Sequence, residues 1–162
     1  MNSTADTREL DDLYRDLILN HARNPRNFRR LENATHTAEG INPLCGDKLH
    51  LYLEITPDSS VADAAFEGSG CAISMASASL LTETIANLSV AEAEGCVSQV
   101  TQRLIEPLMQ QVDCTSNSMA TDLTKLRALD GVRKHPARIK CATLAWQTLH
   151  AALQQQSIAT TE

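Results

Sequence analysis

Three cysteines and one aspartate stand at positions that suit the binding of a metal ion. Cys45 and Asp47 flank a glycine in "NPLCGD", just ahead of an alternating apolar run. Cys71 follows "GSG" at the expected start of a helix, and Cys141 lies on the apolar stripe of a later helix, in its first turns. Glycine permits tight turns, and a helix N-terminus favours the thiolate that binds metals. If these elements pack into one core, three sulfurs and one carboxylate oxygen meet at one end of a sheet and form a tetrahedral zinc set.

The residues alone leave a second interpretation equally open, in which the cysteines are buried packing residues and Asp47 caps a turn. The chain has no CxxC pair, and its cysteine spacings match no short zinc motif. A zinc ion on three thiolates and one carboxylate would leave a formal charge of about −2. Lys134, Arg138 and Lys140, in the basic run at 133–140, would offset that charge.

The remaining cysteines and the histidines lack a motif. Cys96 is predicted to be a packing residue of a helix, and Cys114 a loop thiol. His135 is a weaker candidate for a substitute ligand than Asp47, and Trp146 is expected in the core or at an interface. The other histidines are expected at the surface or at helix ends: His21, His36, His50 and His150.

Length and composition predict one globular domain over residues 1–162, ordered from about 8 to 155. The net charge of −6 argues against nucleic acid as a partner, because phosphate contacts need a basic surface. No apolar run approaches the ~20 residues that cross a bilayer, and the N-terminus lacks the apolar region of a signal peptide. These features predict a cytoplasmic protein that has no membrane contact.

Apolar periodicity predicts several helices and one hairpin. Leu49, Leu51 and Leu53 alternate with polar residues as in a half-buried strand, and a second strand with Ala62, Ala64 and Phe66 on one face pairs with it antiparallel. Ser89 and Glu92 form a capping box. The other predicted elements are a helix over 9–22, a short edge strand near 34–40, a helix from Cys71, a helix that Pro107 kinks or ends, a helix over 121–129 that stops at Asp130-Gly131, a last helix from Pro136 and a frayed C-terminus.

Four stretches carry a resemblance to a known family: "LYRDLILNHARNPRNF", "NPLCGD", "FEGSGCAISMASASLL" and "RIKCATLAW". Together they resemble the SufU-type members of the IscU-like iron–sulfur cluster assembly family, whose domain also forms the N-terminal part of NifU. The match runs from about residue 10 to residue 153, with the motifs in the family's order. It implies an α+β fold in which a small antiparallel sheet of about three strands is covered by helices.

The resemblance also implies the site and its chemistry. The family's ligands carry over onto Cys45, Asp47, Cys71 and Cys141. IscU scaffolds have a histidine just before the third cysteine, whereas Lys140 stands here, as in SufU-type proteins. That branch is implied to bind Zn²⁺ and to take persulfide sulfur from a SufS-like cysteine desulfurase, with sulfurtransferase-like activity, for downstream iron–sulfur assembly proteins. The alternatives are a scaffold that assembles a [2Fe–2S] cluster on the same ligands, and a structural zinc adaptor.

Among the three thiols, Cys45 is the expected sulfur acceptor. It lies in a turn between proline and glycine, so it can leave the metal at the least structural cost, while Cys71 and Cys141 are held at helices. SufU-type proteins are thought to use the equivalent cysteine, with a histidine of the desulfurase replacing it on zinc. Asp47 is then expected to be the labile oxygen ligand, and Arg138 either orients Asp47 or the incoming persulfide or is simply solvated.

Overall fold

A four-stranded sheet forms the centre of the computed structural model, which describes residues 14–105 and 124–160. Its strands are β1 (His36–Asn42), β2 (Asp47–Ile55), β3 (Val61–Ser69) and β4 (Ile158–Thr160). They lie in the order β3-β2-β1-β4. β2 pairs antiparallel with both β1 and β3, whereas β4 runs parallel to β1.

The predicted alternation of β2 is confirmed, since Leu49, Leu51 and Leu53 are all buried. The prediction for β3 is right at Ala64 and Phe66 but wrong at Ala62, which is exposed. The pairing of β2 with β3 shifts between Glu54 and Ile55. Such an irregularity interrupts the alternation of faces, so the neighbouring Val61 is buried instead of Ala62.

The helices are α1 (described over 14–23), α2 (Ala72–Ile85), α3 (Val90–Ile105), a 3₁₀ helix (Thr124–Lys134) and α4 (Pro136–Leu153). Three of the described helices, α2, α3 and α4, begin where local signals predict. The Ser89 and Glu92 capping box is confirmed, because each side chain accepts a hydrogen bond from the other's backbone N–H at 3.1 Å. Proline at the first position of α4 suits a helix start, where no N–H is needed.

Small residues let the helices approach one another and the sheet. The helix α4 packs on β1, β2 and β4, while α2 packs on β3 and on α4. A side chain at Gly40 of β1 would collide with Thr148 of α4, so only glycine fits this contact. Between α2 and α4, the Ser77 hydroxyl donates to the Ala142 carbonyl at 2.6 Å and accepts from Trp146 Nε1 at 3.1 Å. Trp146 is fully buried, as predicted for a core residue.

The α+β architecture is confirmed, but the sheet has four strands instead of about three. The fourth comes from the C-terminus, which was expected to be frayed: β4 pairs with Glu39, Gly40 and Ile41 of β1. β1 is therefore an inner strand and not the expected edge strand. The 3₁₀ helix continues past Gly131 instead of stopping there. Cys114 and Pro107 lie outside the described residues. No helix in the described ranges is long and apolar enough to span a bilayer.

Candidate metal centre

The turn between β1 and β2, residues 43–46, carries Cys45 at the end of the sheet. Gly46 has φ +70°, a left-handed conformation that favours glycine, and it allows the chain to reverse directly after the cysteine. Cys45 is exposed, and so is Leu44 beside it. Asn42 and Asp47 face each other in the register as the pair that closes the hairpin. The turn therefore exposes the Cys45 thiol to solvent, next to the paired polar residues Asn42 and Asp47.

Asp47 is fully buried at the end of the hairpin, and two hydrogen-bond donors hold its carboxylate. The backbone N–H of Cys71 donates to Oδ1 at 2.9 Å, and the Asn42 side-chain amide donates to Oδ2 at 3.2 Å. Gly70 leaves space for this carboxylate, because a Cβ there would lie 2.5 Å from Oδ1. Asp47 was expected to be the labile ligand, but these contacts favour a fixed carboxylate, since two other segments, the end of β1 and the start of α2, set its orientation.

The structure brings three of the four sequence-predicted ligands into one cluster. The ligand atoms of Cys45, Asp47 and Cys141 all lie within 4.8 Å of one another, and the two sulfurs are 3.4 Å apart. Cys71 occupies the N-cap position of α2 beside them, but its sulfur is not part of that set. Its thiol nevertheless interacts with the thiol of Cys141.

Burial is the main reason why the pKa of the Cys141 thiol is raised above its ordinary value, followed by hydrogen bonds with Asp47, Cys45 and Cys71. A metal that binds this sulfur must therefore displace a proton, which ties metal affinity to pH. The same two helix thiols act on Arg138: a hydrogen bond with Cys141 and the charge of Cys71 raise the pKa of its guanidinium. Because Arg138 is exposed and interacts with both thiols, it approaches the cluster from the solvent side.

The donor chemistry of this cluster fits a zinc ion. Two sulfurs and one carboxylate oxygen are within reach of one centre, with a third sulfur, that of Cys71, next to them. Thiolate and carboxylate are both common zinc ligands, and four of them complete a tetrahedron. The second interpretation of Asp47, as a turn cap, leaves unexplained why its side chain is buried among thiols.

The other candidates lie outside the cluster. His135 is exposed, and Cys96 is a buried residue of α3, where burial and nearby Glu92 raise the pKa of its thiol to about 11. His21 lies in the last turn of α1, one of the two predicted kinds of position, but it is buried, and its Nδ1 is 2.7 Å from Ser79 Oγ. Lys140, next to Cys141, is half-buried.

One residue of this site, Asn42, was not predicted from the sequence. It lies in the "NPLCGD" motif and resembles an ordinary turn residue before proline. Its position inside that motif was the available signal, and its contact with Asp47 depends on the pairing of two strands. The glycines before Cys71 were expected to allow another group to approach closely, and Gly70 lies against the Asp47 carboxylate.

We expect Gly70→Ala to destabilise the protein, because its Cβ would meet the Asp47 carboxylate at 2.5 Å and 3.1 Å. The carboxylate is fully buried and held by two hydrogen bonds, and overpacking of this kind lowers the free energy of unfolding by about 1–3 kcal/mol. Urea unfolding of the metal-free protein measures the change. Gly131→Ala is the matched control, since no atom lies within 4 Å of its added Cβ. Equal stability of Gly70→Ala and the wild type would contradict the prediction.

Three comparisons with known proteins agree. The profile of the family described as "NifU-like N terminal domain" matches residues 13–142. The zinc-dependent sulfurtransferase SufU of Bacillus subtilis is 40% identical over 147 residues, covering 91% of this chain and 93% of that protein. The iron–sulfur cluster assembly scaffold protein IscU of Thermotoga maritima is 39% identical, covering 90% and 95%. A crystal structure of a proposed iron–sulfur cluster assembly scaffold protein for the SUF system, from Fervidobacterium islandicum, superposes with a TM-score of 0.72 at 30% identity, covering 85% and 94%.

Proposed function

Because the chain belongs to the family of NifU-like N-terminal domains, we propose that it binds zinc and accepts persulfide sulfur from a cysteine desulfurase for iron–sulfur cluster assembly. The family resemblance predicted from the four sequence motifs is confirmed by the profile match and by the 40% identity to SufU of Bacillus subtilis. That relative's name, zinc-dependent sulfurtransferase, supports the metal and the reaction. The proposed location is the cytoplasm, where the free thiols of the chain stay reduced.

One observation carries the proposal: the exposed Cys45 thiol lies 3.4 Å from the buried Cys141 thiol, and both are close to the Asp47 carboxylate. Cys45 is on the surface in a turn, whereas Cys141 and Asp47 are fully buried on regular elements. A structural zinc site keeps all four coordination positions on protein ligands permanently, whereas a transfer site must release one thiol to reach a partner. The exposure of Cys45 therefore favours transfer over a purely structural adaptor.

Zinc would be held by Cys45, Asp47, Cys71 and Cys141. The Cys71 sulfur would join the other three by rotation of its side chain, since its backbone is already in contact with Asp47. When bound, zinc keeps the thiols deprotonated at neutral pH. Arg138 would offset the negative charge of this set from the solvent side, where an incoming persulfide also arrives.

The sulfur transfer is a thiol–persulfide exchange in which electrons balance without an external oxidant. The Cys45 thiolate attacks the outer sulfur of the partner's persulfide, and a new S–S bond forms. The partner's S–S bond breaks at the same time, and its cysteine leaves as a thiolate. Cys45 then carries the persulfide, which a downstream acceptor receives by the same exchange.

The second candidate function is a scaffold that assembles a [2Fe–2S] cluster on the same ligands. The 39% identity to IscU of Thermotoga maritima favours it. Lys140 argues against it, because a protonated ammonium has no lone pair for a metal or a proton. The family resemblance implies that IscU scaffolds have a histidine at this position.

Turnover of the cognate cysteine desulfurase tests the proposal. We expect the zinc-loaded protein to increase the rate at which the desulfurase consumes cysteine, because Cys45 removes the persulfide from that enzyme. Cys96→Ser, which lies outside the cluster, is the control that should retain the stimulation. A lack of stimulation would contradict sulfur transfer and would favour the structural zinc adaptor. Reconstitution of a stable [2Fe–2S] cluster, seen by its absorbance, would favour the scaffold.

A further inference from the structure

Asn42 occupies the last position of β1 and is buried next to the cluster. It pairs with Asp47 across the hairpin, so its side chain starts from a fixed position on the sheet. Only 1% of its surface is exposed. A polar side chain with this little access to water is expected to use all its hydrogen-bonding groups within the protein.

The Asn42 side chain uses only its amide N–H groups, and both point to candidate metal ligands. Nδ2 lies 3.2 Å from Asp47 Oδ2 and 3.5 Å from Cys141 Sγ. Its carbonyl oxygen, Oδ1, has no hydrogen-bond partner among the residues that the structure describes. An unpaired buried acceptor is unfavourable, so a residue whose role was only to fill space would be better replaced by an apolar one.

The orientation of the amide follows from the charge of its neighbour. Turning the group by half a revolution would direct Oδ1 at the Asp47 carboxylate, where two oxygens repel each other. The donor must therefore face the carboxylate and the sulfur. Among the residues that the structure describes, the Cys45 thiol is hydrogen-bonded to the Cys141 thiol and not to Asn42.

We propose that Asn42 is a positioning residue that holds Asp47 and Cys141 as a fixed pair, from which Cys45, on its exposed turn, is free to move away. The inference rests on the proposed zinc and sulfur-transfer function and identifies what makes one thiol of that site the acceptor. Asn42 does not bind the metal itself. It acts through two ligands, as groups outside the ligand set of a metal commonly do.

Zinc affinity, measured by competition with a chromophoric chelator, tests this role. Loss of such an outer partner lowers metal affinity by about 10–100-fold, so we expect that loss for Asn42→Ala. Asn42→Leu should show the same loss, because leucine fills the space but donates no hydrogen bond. The matched control is Ser79→Ala, a fully buried position far along α2 whose hydroxyl bonds to His21 and to the Arg26 backbone N–H.

Two results would overturn the inference: zinc affinity of Asn42→Leu equal to that of the wild type, or an equal loss in Ser79→Ala. The first would assign Asn42 to packing, and the second would make the effect one of general stability. If the wild type binds no zinc, the proposed function fails while this inference remains decidable. Crystal structures of the metal-free proteins should then show the Asp47 carboxylate and the Cys141 sulfur displaced in Asn42→Leu relative to the wild type. Unchanged positions of both groups would overturn the inference.

Discussion

Cys45→Ser is expected to lose sulfur uptake completely while the protein stays folded. The thiol lies exposed in a turn, so its replacement removes no packing, and a surface change of this kind alters the free energy of unfolding of the metal-free protein by no more than about 0.5 kcal/mol. Serine offers no thiolate at neutral pH and cannot attack a persulfide. Mass spectrometry after incubation with desulfurase and cysteine measures the added sulfur on each cysteine peptide.

The control for this experiment is Cys96→Ser, because that thiol is buried in α3 and its pKa is raised to about 11 by burial and Glu92. Such a thiol is almost entirely protonated at neutral pH and is not expected to receive sulfur. Added sulfur that maps to Cys141 in the wild type would refute Cys45 as the acceptor. Loss of uptake in Cys96→Ser would point to a general effect on the fold.

The second large effect is the loss of zinc in Cys141→Ser. Cys141 is fully buried at the centre of the cluster, in contact with Cys45 and Asn42, and a hydroxyl is a poor substitute for a thiolate on zinc. Zinc at about 1,000 times its Kd stabilises a folded protein by about 4 kcal/mol. For a domain of this size, that corresponds to roughly 10 °C in Tm.

Metal analysis and thermal unfolding of purified proteins check this prediction. Cys96→Ser is matched to Cys141→Ser, because both replace a fully buried helical cysteine by serine. We expect both variants to lose stability from a buried hydroxyl, but only Cys141→Ser to lose its zinc. One zinc per chain in Cys141→Ser would contradict the ligand assignment. So would a wild-type Tm that is unchanged by a chelator.

Local signals in the sequence were sufficient for most of the helices and strands. The alternation of Leu49, Leu51 and Leu53 reports a strand with one buried face, and Pro136 and the Ser89 capping box report helix starts. Each of these signals depends on residues within a few positions of one another. The four motifs added the family and with it the α+β fold.

The candidate site was predicted only in part, because its ligands come from distant segments. The sequence alone supplied thiols and a carboxylate in suitable local positions, while their convergence depended on packing that no local pattern describes. The structure joins Cys45, Asp47 and Cys141, and it adds Asn42, whose contact with Cys141 spans 99 positions. In the sequence, Asn42 cannot be distinguished from a turn residue, because its burial and its partners depend on tertiary packing.

The same reason explains the elements that the sequence did not predict. The three residues Ile158–Thr160 are too few for a periodic pattern. They form a strand because they pair with the edge of β1, which lies more than a hundred positions earlier in the sequence. His21 is buried because Ser79 of α2 lies opposite it. Periodicity determines which face of an element is apolar, but only the tertiary structure decides which distant element covers that face and supplies the partners for its polar groups.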